Sequence, residues 1–132
     1  GRAWLGKVCE VYVDTEYRGA ALLERHEAGY YLSKFAVETQ ARGEGLANEI
    51  WHDVQRDHPA LFWRARADNT FNSWYEKHAD GSHATPHWRV FWRGIDWKAI
   101  PDVVDYCLAH EDDFADRAQE ISNETDSEES NR

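Results

Sequence analysis

The 132-residue sequence has no methionine, even at position 1, and only two cysteines and three prolines. It also lacks an apolar run close to the roughly 20 residues that span a membrane. A secretory signal is missing too, because the first residues show no basic start, apolar middle and small-residue cleavage site. We therefore expect a soluble, cytoplasmic protein with no membrane partner. The absent methionine indicates a piece processed or excised from a longer polypeptide.

The scarcity of cysteine limits what the thiols can do. Cys9 and Cys107 both lie in segments of periodic apolar residues. In such segments a buried structural thiol is more common than a disulfide or a catalytic group. We predict that both cysteines belong to the core.

Positive charge is also scarce, with 15 basic against 25 acidic residues and a net charge of −10. Residues 111–132 hold nine acidic and two basic residues, so they carry −7 of this total. Their large apolar side chains are Phe114 and Ile121, which are too few to offset the entropy of ordering the segment. We expect one domain over residues 1–110 and an acidic, disordered or frayed tail over 111–132. The domain itself sums to −3, which argues against a nucleic-acid partner.

Apolar periodicity predicts an α+β domain. Short apolar, aromatic or β-branched runs indicate strands, whereas recurrence every three to four residues after Glu44 indicates a helix. The predicted strands are residues 8–13, 19–24, 29–37, 60–66 and 87–95. A short helix is predicted over 70–79, and Asp96 can cap a last helix that has Pro101 in its first turn.

The order of these elements predicts how they pack. The strands at 29–37 and 60–66 enclose the long helix, which makes a βαβ unit with parallel strands. Residues 78–86 are predicted to form a polar turn. The last helix has one apolar face, formed by Trp97, Ile100, Val103, Val104, Cys107 and Leu108. We therefore expect a mixed sheet with helices packed on it.

A glycine-containing turn lies between the third strand and the long helix. Its sequence is QARGEG, residues 40–45. Gly43 and Gly45 would let a ligand approach the backbone closely, and free N–H groups at a helix start suit a pyrophosphate. Arg42 would add a charge-assisted contact. The third glycine and the acidic residue of a dinucleotide-binding fingerprint are missing. A helix start without a ligand is the alternative.

Gln40-x-x-Gly43-x-Gly45 resembles the turn with which Gcn5-related N-acetyltransferases (the GNAT family) hold the pyrophosphate of acetyl-CoA. The segments YYLSKFAV, LFWRARADNTFNSWYEKHADGS and HWRVFWRGI are similar to the acetyltransferase domain of vertebrate-like N-acetylglutamate synthases and bifunctional synthase/kinases. This resemblance covers about residues 10–95. It implies a GNAT fold, in which a central mixed sheet is splayed between two parallel strands, with helices on both faces and the cofactor in the splay.

The resemblance also implies an activity and partners. The expected reaction converts L-glutamate to N-acetyl-L-glutamate with acetyl-CoA as co-substrate and no metal, which is the first step of arginine biosynthesis. Full-length relatives carry an upstream amino-acid kinase domain, and we expect the full-length protein to be a homo-oligomer. The residues that the resemblance assigns to the cofactor are Val37, Gln40, Arg42, Gly43, Glu44, Gly45 and Leu46, with the backbone N–H near Val37 donating to the thioester oxygen.

Cations cluster on two neighbouring strands. Arg64 and Arg66 leave the same face of one strand, and Lys34 occupies a comparable position on the parallel neighbour. Three cations suit the two carboxylates of glutamate, because a planar guanidinium binds a carboxylate through two parallel hydrogen bonds. In the family the glutamate site comprises the positions of Lys34, Arg64, Arg66 and Asn69. The alternative is a surface ion-pair network with acids such as Asp68 or Glu76.

Two further residues are candidates for the chemistry. Tyr75 could return a proton to the departing thiolate, and Asn69 could hold the amine or a carboxylate of the substrate. Their structural alternatives are a core tyrosine beside Trp74 and a turn or helix cap. Relatives commonly have proline where this chain has Thr70 and Ser73. We therefore expect a less rigid loop before Tyr75 in this chain. The general base stays open among His52, His58 and Glu76.

Other patterns point to weaker hypotheses. His78, His83 and His87 are spaced like metal ligands but lie across an exposed polar turn with no cysteine partner. Seven tryptophans could form a base-stacking platform, although core packing accounts better for them in an acidic chain. Against the glutamate enzyme stand two alternatives: the same fold acetylating another amine, and a non-catalytic module that binds CoA or an amino acid or assembles subunits.

Overall fold

The computed structural model describes residues 8–38 and 45–110. Within these ranges the strands are β1 (Val8–Val13), β2 (Gly19–His26), β3 (Gly29–Val37), β4 (Leu61–Arg66), β5 (Gly81–Ala84) and β6 (Trp88–Arg93). The helices are α1 (Leu46–Asp57), α2 (Asn72–His78) and α3 (Ile100–Ala109), and a 3-10 turn at Trp97–Ala99 precedes α3. The predicted acidic tail lies outside the described residues.

The six strands form one mixed sheet in the order β1-β2-β3-β4-β6-β5. All neighbouring strands are antiparallel except β3 and β4, which are parallel and are joined through α1. The predicted βαβ unit is therefore confirmed. Helices α1 and α2 cover one face of this sheet and α3 covers the other, because an apolar cluster lies on each side. This is the predicted α+β, GNAT-like arrangement.

The parallel strands separate soon after they begin. Among the described residues, β3 and β4 pair only at Tyr30 with Leu61 and at Tyr31 with Phe62. Beyond these pairs, residues 32–37 of β3 and 63–66 of β4 diverge, and we call this opening the splay. The wedge that the sequence resemblance implied is thus present at the carboxyl ends of the two parallel strands.

A bulge in β3 contributes to the separation. Leu22 of β2 pairs with Lys34 and Leu23 pairs with Leu32, so Ser33 is one extra residue on β3. The Ser33 hydroxyl donates to the Leu22 carbonyl over 3.2 Å, which holds the bulge against β2. An extra residue bends a strand and reverses the direction of every group after it. Leu32 and Phe35 consequently face the same core, although they are three positions apart.

Two glycines close the narrow end of the wedge. Gly94 has φ +65°, and a Cβ added there would come within 2.1 Å of the Pro59 carbonyl oxygen. Gly29 has φ +154°, and its added Cβ would meet the Ala60 carbonyl oxygen at 2.4 Å. Both positions need glycine because the backbone before β4 passes directly against them. The start of β4 therefore packs closely between β3 and β6, whereas its end is separated from β3.

Two sequence predictions are wrong in detail. The polar turn predicted over 78–86 contains β5, an edge strand whose residues are mostly exposed. It lacks an apolar alternation because neither of its faces is buried. Trp97 does not share the apolar face of α3 and is 74% exposed, because the Asp96 side chain accepts from the Lys98 N–H and caps the 3-10 turn instead. None of the described helices has the length and apolar character that crossing a bilayer requires.

Candidate active site

The start of α1 lies at the splay side of the sheet and has an unusual backbone. Gly45 precedes the helix with φ +85°, a left-handed conformation that favours glycine. Among the residues that the structure describes, no heavy atom lies within 4 Å of a Cβ added at Gly45. Leu46 is buried in the core, and only its backbone N–H can serve a ligand. Gln40, Arg42, Gly43 and Glu44, the other predicted cofactor residues of this turn, lie outside the described residues.

The backbone of Val37 is directed by the hydrogen bonds of its neighbour. The Glu38 N–H donates to the Arg18 carbonyl over 2.8 Å, which is the β2 side of β3. Successive N–H groups of a strand point to opposite edges. The N–H of Val37 is therefore directed to the β4 side, toward the splay, although the Val37 side chain is buried in the core. Without the bulge at Ser33 this direction would be reversed.

Arg64 is a buried residue with its own partners. Only 5% of it is exposed, and its Nη1 donates to the carbonyl oxygens of Cys107 at 3.0 Å and His110 at 2.7 Å. These carbonyls end α3, where the helix dipole is negative. The guanidinium also stacks on the ring of Trp88, with 3.8 Å from Cζ to the ring centroid. Arg64 thus attaches the end of α3 to β4.

Arg66 lies two positions further along β4, on the same face and nearer the surface. Its side chain is 35% exposed, its Nε lies 3.9 Å from Asp68 Oδ1, and its Cζ lies 5.5 Å from the Trp88 centroid. The 3.9 Å contact with an exposed carboxylate is weak. Arg66 is consequently the guanidinium of β4 that is more accessible to a ligand.

Lys34 shares this face of the sheet. It is paired with Leu22 and adjoins Phe35, whose ring faces the α1 side, so the Lys34 side chain leaves on the α3 side. Arg64 and Arg66 also leave on this side, because Trp63 between Phe62 and Arg64 packs on the α1 side. The predicted set of three cations is therefore brought to one face, on the two strands that border the splay.

Asn69 follows β4 in a tightly bonded loop. Its side-chain oxygen accepts from the Phe71 N–H over 2.7 Å, and its backbone N–H donates to the Arg66 carbonyl over 3.0 Å. The structural role considered for this residue is therefore present. Because the amide oxygen already has a donor, the amide nitrogen is the end suited to a ligand. That nitrogen can donate to a carboxylate but cannot accept from an ammonium group.

Asn72 is a functional candidate that the sequence analysis missed. Its Nδ2 donates to the carbonyls of Arg66 at 2.9 Å and Ala67 at 3.2 Å. These bonds fix the chain where Arg66 leaves the sheet. The sequence signal was the first-turn position of an asparagine, which commonly bonds nearby backbone.

Tyr75 lies in the core on the other face. It is 1% exposed, and its ring contacts those of Phe71 at 5.4 Å, Trp63 at 5.7 Å and Phe35 at 6.5 Å. Trp63 belongs to β4 and Phe35 to β3, both beyond the last paired residues. Tyr75 therefore spans the two diverging strands from the α2 side. The core role considered for it is therefore present.

The candidate general bases lie away from the splay or on the surface. His58 precedes β4 and is therefore at the closed end of the wedge, where its Nε2 lies 2.5 Å from Glu10 Oε2. This hydrogen bond holds the pKa of the Glu10 carboxyl below its ordinary value. His52 and Glu76 are exposed on α1 and α2. Geometry thus removes His58 from the site.

The tyrosine beside this pair completes a polar cluster at the closed end. The Tyr12 hydroxyl lies 2.8 Å from Asp57 Oδ2 and 3.0 Å from Glu10 Oε2. Burial, followed by these two carboxylates, raises the pKa of Tyr12 well above its ordinary value. The cluster connects β1 to the end of α1 and is structural.

In the described part of the chain, no group of three histidine, cysteine or acidic side chains could hold a metal ion.

Residues 4–110 match a family model described as NAT, N-acetyltransferase, of N-acetylglutamate synthase. A mitochondrial N-acetylglutamate synthase of Danio rerio is 35% identical over 113 residues, which are 83% of this chain and 21% of that protein. An acetylglutamate kinase of Xylella fastidiosa is 38% identical over 100 residues, covering 75% of this chain and 24% of the relative. The mitochondrial N-acetylglutamate synthase of Homo sapiens is 35% identical over 108 residues, with coverages of 79% and 20%. The chain therefore spans about a quarter or less of the length of these relatives.

Proposed function

Because the chain belongs to the family of N-acetyltransferase domains of N-acetylglutamate synthases, we propose that it transfers the acetyl group of acetyl-CoA to the α-amine of L-glutamate. The observation that carries this proposal is the early end of pairing between β3 and β4 after Tyr31 and Phe62. It leaves an opening that is bordered by a helix start on one side and by cations on the other. The product is N-acetyl-L-glutamate, which enters arginine biosynthesis.

Acetyl-CoA would lie in the splay with its pyrophosphate at the start of α1. The turn formed by Gln40, Arg42, Gly43, Glu44 and Gly45 would hold the phosphates through backbone N–H groups, together with the N–H of Leu46. The left-handed backbone of Gly45 at the helix start supports this assignment. The thioester oxygen would accept from the N–H of Val37, whose direction toward the splay follows from the Glu38 hydrogen bond.

Glutamate would bind on the α3 side of the splay. Arg66 and Lys34 would contact its carboxylates, and the amide nitrogen of Asn69 would donate a further hydrogen bond. Arg64 belongs to the same cluster, but its Nη1 already binds the two carbonyls at the end of α3. Its contribution to the ligand would therefore be its charge and the position it gives to its neighbours.

The reaction is a direct attack of the unprotonated amine on the thioester carbonyl. A C–N bond forms, the C–S bond breaks, the amine loses a proton to solvent or a base, and the thiolate leaves. Tyr75 would protonate the thiolate as general acid; the transfer is uphill, but the difference between a phenol of ordinary pKa near 10 and a thiol near 8.5 is small enough for catalysis. Holding the amine and the thioester in line would supply much of the rate.

We also propose a context for the domain. In its parent polypeptide it would follow an amino-acid kinase domain and take part in a homo-oligomer. The name of the Xylella relative, acetylglutamate kinase, supports the first point. The domain would comprise residues 1–110, with 111–132 as an acidic tail. A cytoplasmic location stays a prediction, since the fish and human relatives are named mitochondrial.

Turnover by the purified chain tests the function. The chain is incubated with acetyl-CoA and one of glutamate, glutamine, aspartate or lysine, and the acetylated amino acid is measured by mass spectrometry. We expect N-acetylglutamate to form fastest, because only glutamate has two carboxylates at the required spacing. Equal turnover of all four amino acids would favour an enzyme for another amine. Tight calorimetric binding of acetyl-CoA with no product would favour a non-catalytic module.

A further inference from the structure

Trp88 is the partner that the two arginines of β4 have in common. It lies on β6 directly opposite Arg66 in the antiparallel ladder. Its ring centroid is 3.8 Å from Cζ of Arg64 and 5.5 Å from Cζ of Arg66. Both distances are within the range of about 6 Å in which a cation is attracted to an aromatic face. One indole therefore backs both guanidiniums.

The position of Trp88 is fixed by the turn between β5 and β6. The Trp88 N–H donates to Thr85 Oγ1 over 3.0 Å, and the Thr85 N–H donates to the Trp88 carbonyl over 2.9 Å. Arg89 Nη1 donates to the carbonyls of both residues, at 2.9 Å for Thr85 and 3.0 Å for Trp88. The backbone that carries the indole is thus held at both ends.

The indole of Trp88 also affects how the two like charges of β4 interact. Arg64 and Arg66 repel each other across one strand face, and the negative face of an indole offsets part of this repulsion. Stacking uses the flat face of a guanidinium and leaves its in-plane N–H groups for a carboxylate. Arg64 is further fixed by the carbonyls of α3. A contact of the ring with Arg66, whose Cζ is 5.5 Å from the centroid, would therefore restrict this guanidinium through its face and not through the N–H groups that a two-point contact with a carboxylate uses.

We infer that Trp88 is a positioning residue of the glutamate site, which it serves by aligning the guanidinium of Arg66. This inference rests on the proposed function, because it adds a residue to the proposed glutamate site. Trp88 does not itself contact glutamate. Trp88 acts through Arg66 on the binding of the carboxylate. It has no part in the binding of acetyl-CoA, whose expected contacts are at the start of α1.

The test compares three variants of the full chain: Trp88→Leu, Trp88→Phe and Trp92→Leu. Trp92 is the matched control, because it lies on the same strand and packs on the same α3 side of the sheet, against the apolar cluster. We expect Trp88→Leu to raise KM for glutamate about tenfold, which corresponds to 1.4 kcal/mol, with KM for acetyl-CoA little changed. Trp88→Phe should recover most of the loss, because phenylalanine keeps an aromatic face. Trp92→Leu should lower Tm without changing KM for glutamate.

Three outcomes would overturn the inference. They are an unchanged KM for glutamate in Trp88→Leu, equal increases in the KM of both substrates, and no difference between Trp88→Phe and Trp88→Leu. Calorimetric titration with glutamate separates this test from the proposed function. If the wild-type chain binds glutamate without acetylating it, the proposed function fails, and the Kd values of the variants still judge Trp88. If the wild-type chain does not bind glutamate, both fail.

Discussion

At the residue scale, burial divides the two arginines of β4 between two tasks. Arg64 is 5% exposed and bonds the end of α3, whereas the side chain of Arg66 is 35% exposed and has a weak 3.9 Å contact with Asp68. The two arginines are two positions apart on one strand, so the sequence alone would suggest that both bind the substrate in the same way. Alternation along the strand predicted that they share a face. It could not predict that the end of α3, whose bonded carbonyls are 43 and 46 residues further along, would lie beside Arg64.

Arg66 is the residue that we expect to contribute most to the binding of glutamate. Arg66→Ala should weaken glutamate binding by about 1.5–3 kcal/mol, the range for a lost charge-assisted hydrogen bond, with acetyl-CoA affinity little changed. Calorimetric titration of each ligand measures both effects. Arg56→Ala is the control, because it removes an equal charge from a surface ion pair on α1. A larger loss for acetyl-CoA than for glutamate would put Arg66 in the wrong half of the site.

At the element scale, apolar periodicity was sufficient for most of the sheet. The predicted bounds of β1 and β3 are those of the structure, and β2 extends two residues beyond its predicted end. The helix predicted to follow Glu44 begins at Leu46. The edge strand β5 was missed, because its stability comes from backbone pairing with β6 and not from buried side chains. The bulge at Ser33 was equally invisible, although it directs the Val37 N–H to the splay.

The turn before α1 is the element that we expect to determine cofactor affinity. Gly43→Val should weaken acetyl-CoA binding roughly tenfold, the factor for one lost hydrogen bond to a charged group, because a side chain would block the approach of the pyrophosphate to the backbone. Glutamate affinity should be nearly unchanged. Calorimetry measures both, and Ala41→Val adds bulk to the same turn at a position that already has a side chain. Unaltered acetyl-CoA affinity in Gly43→Val would remove the phosphate role.

The closed end of the wedge has a pH dependence of its own. The His58 hydrogen bond lowers the pKa of Glu10 below its ordinary value of 4.5. At pH values above 4.5 the ionised carboxylate therefore stabilises the fold, and this contribution is lost as the pH falls through the lowered pKa. Glu10→Gln should therefore be less stable than wild type near neutral pH, with a difference that narrows on acidification.

Urea unfolding at several pH values measures this difference. His58→Gln removes the same hydrogen bond from the other side, so it should show the same narrowing, and the double variant should add little to either change. A difference between Glu10→Gln and wild type that stays constant from neutral to acidic pH would contradict the assignment. The pair joins residues 48 positions apart, and nothing in the local sequence of either strand or helix indicated it.

At the scale of the whole molecule, the two faces of the sheet supply different groups to one opening. Cations on β3 and β4 leave on the α3 side, and the aromatic cluster around Tyr75 fills the α1 and α2 side. We therefore expect a ligand that passes between the diverging strands to meet cations on one side and the phenol of Tyr75 on the other. The sequence resemblance implied this opening, but the division of the groups between faces depends on packing that is established only in the folded chain.

Packing of α3 on the sheet predicts the behaviour of Cys107. Its thiol is fully buried, and burial raises its pKa to about 12, against the opposing effect of Arg64. We expect a thiol reagent at neutral pH to label Cys107 only through opening of the fold. Peptide mapping by mass spectrometry, with and without denaturant, measures this labelling. Equal rates in the two conditions would show that α3 does not pack on β4 as described.

A crystal structure of the chain with CoA and glutamate bound would show whether the splay is the active site. We expect the CoA sulfur between residues 32–37 of β3 and 63–66 of β4, the pyrophosphate at the start of α1, and the glutamate carboxylates within hydrogen-bonding distance of Lys34 and Arg66. Ligands bound elsewhere, or a β3 and β4 that pair along their whole length around no ligand, would contradict it.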